Sequence, residues 1–366
     1  MDHCYEHGVA VDMPSGLCSD SGACIGGYWF YSKVLVTFET PKVGQYLGTA
    51  SYDIAKMKIV DLDIDWPDDF PWSHCVTVNS EPDLDRRGFF EDGLNKYLRA
   101  HKYSHGHALI LSGGVGKGGA ARLAARGALR IGAGLVTLGC PPAALQENAA
   151  RLDAVMLKSV RDADALVEIL SDTRINALCL GPGLGAGARE VDLVRAALAA
   201  GRCTVLDADA LTLIAADPDL FGALHQKCVL TPHAGEFARL FPDIAKKLSA
   251  PATKGPAYSK VDATREAAAR AGCTVLFKGP DTVIAEPGGQ CVINAALYDR
   301  AAPWLATAGS GDVLAGFITG LLARNTESAV QMAAWLHVEC ARSFGPGLIA
   351  EDLPEELPKV FRALGL

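Results

Sequence analysis

The chain has 366 residues and a mass of 38.5 kDa, enough for one large domain or two unequal ones, and 49% hydrophobic against 21% charged content excludes a disordered chain. Its 34 Lys and Arg against 42 Asp and Glu leave a net charge of −8, the wrong sign for a phosphate-neutralising surface, so no nucleic-acid partner is expected. Mean hydropathy is +0.17, yet the most apolar long run, residues 313–323, contains Thr319 and falls well short of the ~20 residues a spanning helix needs.

In chain order, short buried strands are predicted at 8–12 and 34–38, each ending in turn-forming residues. An acidic, proline-punctuated stretch at 60–72 reads as a strand end and an exposed connector, which puts a boundary near Trp72. Beyond it, apolar runs at 108–111, 178–180, 204–206 and 228–230 alternate with helical stretches such as 120–131. Strand and helix in turn predict parallel βαβ units, with sites at the carboxyl ends of the strands. Residues 248–260, with their Pro, Lys and Ser, read as a mobile surface insertion. The 11 cysteines include no CxxC pair and no cluster at zinc spacing, which fits buried free thiols in a reducing cytoplasm. No apolar leader flanked by basic residues opens the chain, so a cytoplasmic protein is expected.

Four punctuations stand where strands should end. SGGVGKGGA at 112–120 has five glycines before an Ala-rich helix, with the wrong spacing for a Walker loop or a dinucleotide loop; it suits an anion at a helix N-terminus or a plain tight turn. GPGLG at 181–185 permits close ligand contact or serves as a turn. TPHAGE at 231–236 sets His233 and Glu236 on one face of an opening helical turn, where His233 is either structural or functional. AGSGDVLAG at 308–316 carries most information: Gly309, Ser310 and Gly311 bring consecutive N–H groups together at a helix start, where they can hold a transferring phosphoryl group. Asp312 follows at once, placed to take a proton from an attacking hydroxyl or, alternatively, to cap the helix. The turn KGPDT at 278–282 offers Lys278 to a nucleotide phosphate.

The glycine loop, GPGLG, DADAL at 207–211, TPHxGE, KGxxT and AGSGDVLAG, in this order and spacing over 101–357, together resemble the ADP/ATP-dependent NAD(P)H-hydrate dehydratases of the ribokinase-like superfamily. The resemblance implies an α/β fold, a three-layer αβα domain with a mainly parallel central sheet, over residues 101–366, with 73–100 as linker and lead-in. It implies an enzyme that uses ADP or ATP with Mg2+ to dehydrate (6S)-NADHX and (6S)-NADPHX. Asp312 would be the base and Gly309, Ser310 and Gly311 the phosphoryl-stabilising N–H groups. Lys278, Gly279, Pro280, Asp281 and Thr282, with Gly311, would bind the nucleotide; Ala120, Gly183 and His233, with Asp312, would contact the hydrated substrate. Glu236 would help hold Mg2+ through water. The short run 295–301 departs from the family and leaves the lid over the nicotinamide side open to question.

Residues 1–72 resemble the end of an NAD(P)H-hydrate epimerase domain, on VAVDMPSG at 9–16, VTF at 36–38, PKVG at 41–44 and VDLDI at 60–64. The resemblance points to Asp12 and Ser15 as contacts for substrate and K+ in a partial Rossmann-like remnant. The family's first, asparagine- and glycine-rich substrate loop has no counterpart, so epimerase activity, and with it K+, is expected to be absent, the R form of the hydrate then needing a separate epimerase. The remnant is expected to be dispensable for dehydration, and the protein to be a homo-oligomer. The alternatives are a small-molecule kinase of the same superfamily, acting on a sugar or vitamin-precursor alcohol, and a non-catalytic nucleotide-binding protein.

Overall fold

The computed structural model describes residues 8–65, 67, 75–79 and 93–366, with the side chains of Thr49 and Ala50 left aside. The boundary expected near Trp72 lies outside the described residues. Strands β1 (Val9–Val11), β2 (Val34–Phe38) and β3 (Lys56–Val60) form a small parallel sheet in that order. One face of it is covered, by Ala10, Leu35 and Ile54 packed with Met57 and Tyr298, while Val9, Val11 and Ile59 on other positions are exposed.

The remaining strands make one ten-stranded sheet: β4 (Thr77–Val78), β5 (His107–Leu111), β6 (Leu135–Cys140), β7 (Met156–Ser159), β8 (Ile175–Leu180), β9 (Cys203–Leu206), β10 (Cys228–Leu230), β11 (Thr274–Phe277), β12 (Asp281–Ala285) and β13 (Cys291–Ala295). Their spatial order is β4-β13-β12-β11-β10-β9-β8-β5-β6-β7, and only β12 runs against its neighbours. The chain builds outward from β5 through β6 to β7, then returns to the other side of β5 with β8. Order therefore reverses between β5 and β8, the place where open α/β sheets form a crevice at their carboxyl ends.

Near-continuous apolar strands such as β5, buried at all five positions, require helices on both faces of the sheet. Two apolar cores meet that demand, one on each side. On one side lie the helices Gly119–Arg130, Ser310–Ala323 and Ala329–Phe344; on the other lie Ala188–Ala199 and Lys260–Ala271. The run 313–323 is thus an interior helix. It touches the Gly119–Arg130 helix so closely that a Cβ on Gly316 would lie 2.1 Å from the Ala124 carbonyl oxygen, which any side chain there would prevent. Among the described residues no helix is long and apolar enough to cross a membrane, and the described cysteines are free.

The N-terminal unit does not stand apart, contrary to the expectation that it is a dispensable remnant. Leu47 is fully buried in the core of the large domain. The Tyr298 hydroxyl donates to the Gln45 carbonyl, and its ring meets Tyr46 edge-on at 6.0 Å. The unusual run 295–301 is therefore a docking element for the N-terminal unit. Residues 248–260, expected to be a mobile insertion, are also engaged: Ala257 N–H donates to Cys18 Sγ at 3.4 Å, Gly26 N–H to the Ala252 carbonyl at 3.4 Å, and Ser259 caps the Lys260–Ala271 helix. The lead-in contributes β4 to the edge of the main sheet, and Asn79 after it donates to Asn294 at 3.0 Å.

Candidate active site

The glycine loops after β5 and β8 meet at the reversal of strand order. A Cβ on Gly113 would sit 2.0 Å from the Gly183 carbonyl oxygen, and one on Gly183 would approach Ala120 Cβ to 3.5 Å. Ala120 and Gly183, expected together on the substrate, are thus neighbours in the crevice, the first on the opening turn of the Gly119–Arg130 helix. The next loop along the sheet, after β9, supplies Asp207 and Asp209. Asp209 Oδ2 accepts from Gly185 N–H at 2.8 Å, which ties the β8 and β9 loops together.

His233 and Glu236 form a reciprocal cap on the Ala234–Leu240 helix. His233 Nδ1 accepts from the N–H groups of Gly235 (2.9 Å) and Glu236 (3.3 Å), while Glu236 Oε2 accepts from His233 N–H at 2.8 Å. This arrangement fixes the tautomer, because Nδ1 accepts and the proton must sit on Nε2. The imidazole stays half exposed and Glu236 buried. His233 therefore has a structural task that leaves its Nε2 edge open to a ligand.

Lys278 joins these loops at the end of β11. Its N–H donates to the Pro232 carbonyl at 2.9 Å, and its Nζ lies 2.7 Å from Asp207 Oδ1 and 3.8 Å from Glu236 Oε2. The ammonium also reaches the AGSGD turn, lying 3.4 Å from where a Cβ of Gly311 would stand. In that turn Gly309 is the N-cap residue in left-handed geometry, with no side chain capping the helix. Ser310 and Gly311 open the helix, so their N–H groups lack partners four residues back. Asp312 does not take the capping role that was its alternative reading.

Asp312 instead faces an acidic surround. Burial, helped by Asp207, Asp209 and Glu236 and opposed by Lys278, pushes its carboxyl up to about 6. A base of that strength is ionised at neutral pH yet avid enough to take a hydroxyl proton in a transition state. Behind it His337, wholly buried, donates from Nε2 to the Ser310 carbonyl at 2.9 Å, and burial lowers its pKa to about 4, so it stays neutral. His337 props the turn that carries the base. Neither it nor Asp207 was picked out from sequence: His337 sits inside an apolar helix, whereas Asp207 did carry a signal, as a carboxylate closing a strand between two glycine loops.

The KGPDT turn lies beside a cavity of about 600 Å3 whose lining includes Lys278, Gly279, Thr282, Ser310, Gly311 and His337, with Pro280 also at its wall. Four of the five residues expected on the nucleotide therefore line one space with the helix start. Asp281 is the exception. Its carboxylate is consumed by Lys260 Nζ at 2.7 Å and by Gly48 N–H of the N-terminal unit at 3.3 Å, with little exposure left. In the N-terminal sheet, Asp12 Oδ1 is ion-paired to Lys42 and accepts from the Thr37 hydroxyl at 3.2 Å; the Lys42 contact holds its carboxyl below the ordinary range.

A doubly wound sheet, an anion-ready helix start with an elevated carboxylate and a lysine at the neighbouring strand end define a phosphoryl-transfer site of the ribokinase-like class. The comparisons agree with that class and narrow it. The profile of the NAD(P)H-hydrate dehydratase family matches residues 108–360, and the chain belongs to this family. It is 34% identical over 375 residues to a bifunctional NAD(P)H-hydrate repair enzyme of Moorella thermoacetica, covering 97% of this chain and 67% of that protein. A second such enzyme, from Gloeobacter violaceus, is 34% identical over 341 residues, covering 90% of this chain and 63% of its own length. The chain thus spans about two thirds of the length of these curated relatives. The solved ADP/ATP-dependent NAD(P)H-hydrate dehydratase of Bacillus subtilis, co-crystallised with ATP/Mg2+, superposes with a TM-score of 0.61 at 27% identity over 79% of this chain and 99% of that one. A ribokinase-like protein of Enterococcus faecalis shares the fold, with a TM-score of 0.63 at 22% identity over 76% of this chain and 94% of that one.

Proposed function

We propose that the chain dehydrates (6S)-NADHX and (6S)-NADPHX to NADH and NADPH at the expense of ADP or ATP, a repair of the nicotinamide cofactor. The observation that carries this reading is Asp312, a base poised near 6 on the first turn of the Ser310–Ala323 helix, within the field of Lys278. The hydrate bears a hydroxyl on the carbon next to the ring nitrogen, and hydroxide leaves poorly. Asp312 takes the hydroxyl proton as the oxygen attacks the terminal phosphorus of the nucleotide, and the P–O bond to the shortened nucleotide breaks. The N–H groups of Gly309, Ser310 and Gly311, with Lys278, stabilise the charge on the transferring group. The nitrogen lone pair then expels phosphate, and loss of the neighbouring ring proton restores the dihydropyridine. Ala120, Gly183 and the Nε2 edge of His233 would hold the hydrate; Lys278, Gly279, Pro280 and Thr282 would hold the nucleotide.

Mg2+ fits the oxygen donors of the site, since Asp207, Asp209 and Glu236 all bear on Asp312. Among the described residues no group of three or more His, Cys, Asp or Glu could hold a metal, so phosphates and water would complete its shell, with Glu236 holding one water. When bound, the ion neutralises phosphate charge.

Incubating the protein with NADHX, ADP and Mg2+ should restore the near-ultraviolet absorbance of NADH and release inorganic phosphate in equal amount. A stable phosphoester without that absorbance would make the protein a small-molecule kinase, and ADP binding without turnover a nucleotide-binding protein. For the N-terminal unit we propose no epimerase activity in this chain, because Lys42 already occupies Asp12 where K+ would be held. A mixed R and S sample should stall at the S fraction until a separate epimerase is added; complete conversion, with spontaneous epimerisation subtracted, would overturn this. A homo-oligomeric state is also proposed, to be checked by light scattering.

A further inference from the structure

Resting on that reading, we propose that Tyr52 of the N-terminal unit is the platform on which the nucleotide base stacks, so that the nucleotide site is shared between the two parts of the chain. The cavity that holds Lys278, Ser310 and Gly311 is closed by Ser51, Tyr52, Ile54 and Ala55. These four residues lie outside the stretch 108–360 that the dehydratase family profile covers.

Three features fit Tyr52 to this task. Its side chain is 42% exposed although it lines the cavity, so ring surface is open to a ligand. Its hydroxyl is engaged by Asp281, and together with burial this raises its pKa; the ring is thereby anchored at one end. Asp281 is in turn fixed by Lys260 and by Gly48 N–H, which places the anchor inside the KGPDT turn itself. The volume of about 600 Å3 suits a nucleotide, and apolar Ile54, Leu297 and Ala301 flank the ring. Flat, apolar and anchored, the ring is suited to a purine face, whereas the lysine and the helix start take the phosphates.

The test uses the full chain. ADP and inorganic pyrophosphate are titrated by calorimetry into wild type, Tyr52→Ala, Tyr52→Leu and Tyr52→Phe, with a thermal melt for each. Loss of the ring in the Ala and Leu variants should weaken ADP about tenfold, the scale of one base on one aromatic, and leave pyrophosphate within twofold. The Phe variant should recover most of the ADP affinity. Unchanged ADP affinity in a folded Ala or Leu variant overturns the proposal. So does equal weakening of ADP and pyrophosphate, which would assign Tyr52 to positioning the KGPDT turn, and so does a rise in KM for NADHX with ADP unaffected. These titrations need no turnover, so failure of wild type to dehydrate NADHX would sink the functional reading and leave this one separately decided.

Discussion

The two parts of the molecule are held together by different means. At the crevice of the large sheet, backbone meets backbone: Gly113 against Gly183, Gly316 against Ala124, Asp209 on Gly185 N–H. Positions are set by contacts that admit no Cβ, which is how a proton acceptor and a phosphoryl cradle are kept in register. The N-terminal unit is held instead by a handful of polar links, Gly48 to Asp281, Tyr298 to Gln45 and Ala257 to Cys18, around the buried Leu47. The first kind of assembly suits chemistry, and the second suits tuning of what enters.

If that division holds, changes in the crevice strike turnover and changes at the junction strike affinity. The largest effect expected is from Asp312→Asn, which should lower kcat at least ~100-fold while ADP binds as before, the usual scale for a lost general base. Near-normal kcat would remove Asp312 from the chemistry. Lys278→Met comes next, with kcat/KM for the nucleotide falling about tenfold from loss of a charge-assisted phosphate contact. Because Lys278 opposes the upward push on Asp312, its removal should also move the acid limb of the kcat profile to higher pH, from a wild-type midpoint near 6. An unmoved limb would mean that another group titrates there. Tyr298→Phe tests the junction: losing one hydrogen bond of about 1 kcal/mol to Gln45 should weaken ADP about threefold and leave kcat within twofold. Equal falls in kcat and affinity would erase the distinction between the two parts.

The same contrast explains what the sequence disclosed. The crevice was legible because its signals are local: each site residue follows an apolar strand within a few positions, and glycine is required there for a reason that neighbours in sequence reveal. The junction was hidden because its partners are remote, Gly48 and Asp281 being 233 positions apart. Asp281 misled for the same reason. In a basic turn it reads as a ligand for nucleotide, and only the fold brings Lys260 and Gly48 to consume its charge. Residues 295–301 were recognised as unusual, but nothing near them in the chain announces Gln45 as the partner of Tyr298.

The smallest effect expected concerns stability and runs opposite to the largest. Asp312 is raised from 3.8 to about 6 by burial and by acidic neighbours, so its ionised form is disfavoured in the fold. A carboxyl that binds its proton more tightly folded than unfolded gains stability for the fold as pH falls from about 6 toward 3.8; above about 6 its penalty is complete. Asn is nearly isosteric and carries no charge to lose. Asp312→Asn should therefore melt about 2–4 °C above wild type at pH 8, as other costly active-site groups do when neutralised, and the difference should shrink toward zero by pH 4. A variant that melts lower at pH 8 would mean that the charge is compensated in the folded protein, chiefly by Lys278. In that event the base would have to be weaker than burial makes it, and the acid limb of kcat would lie below 6 by the same argument.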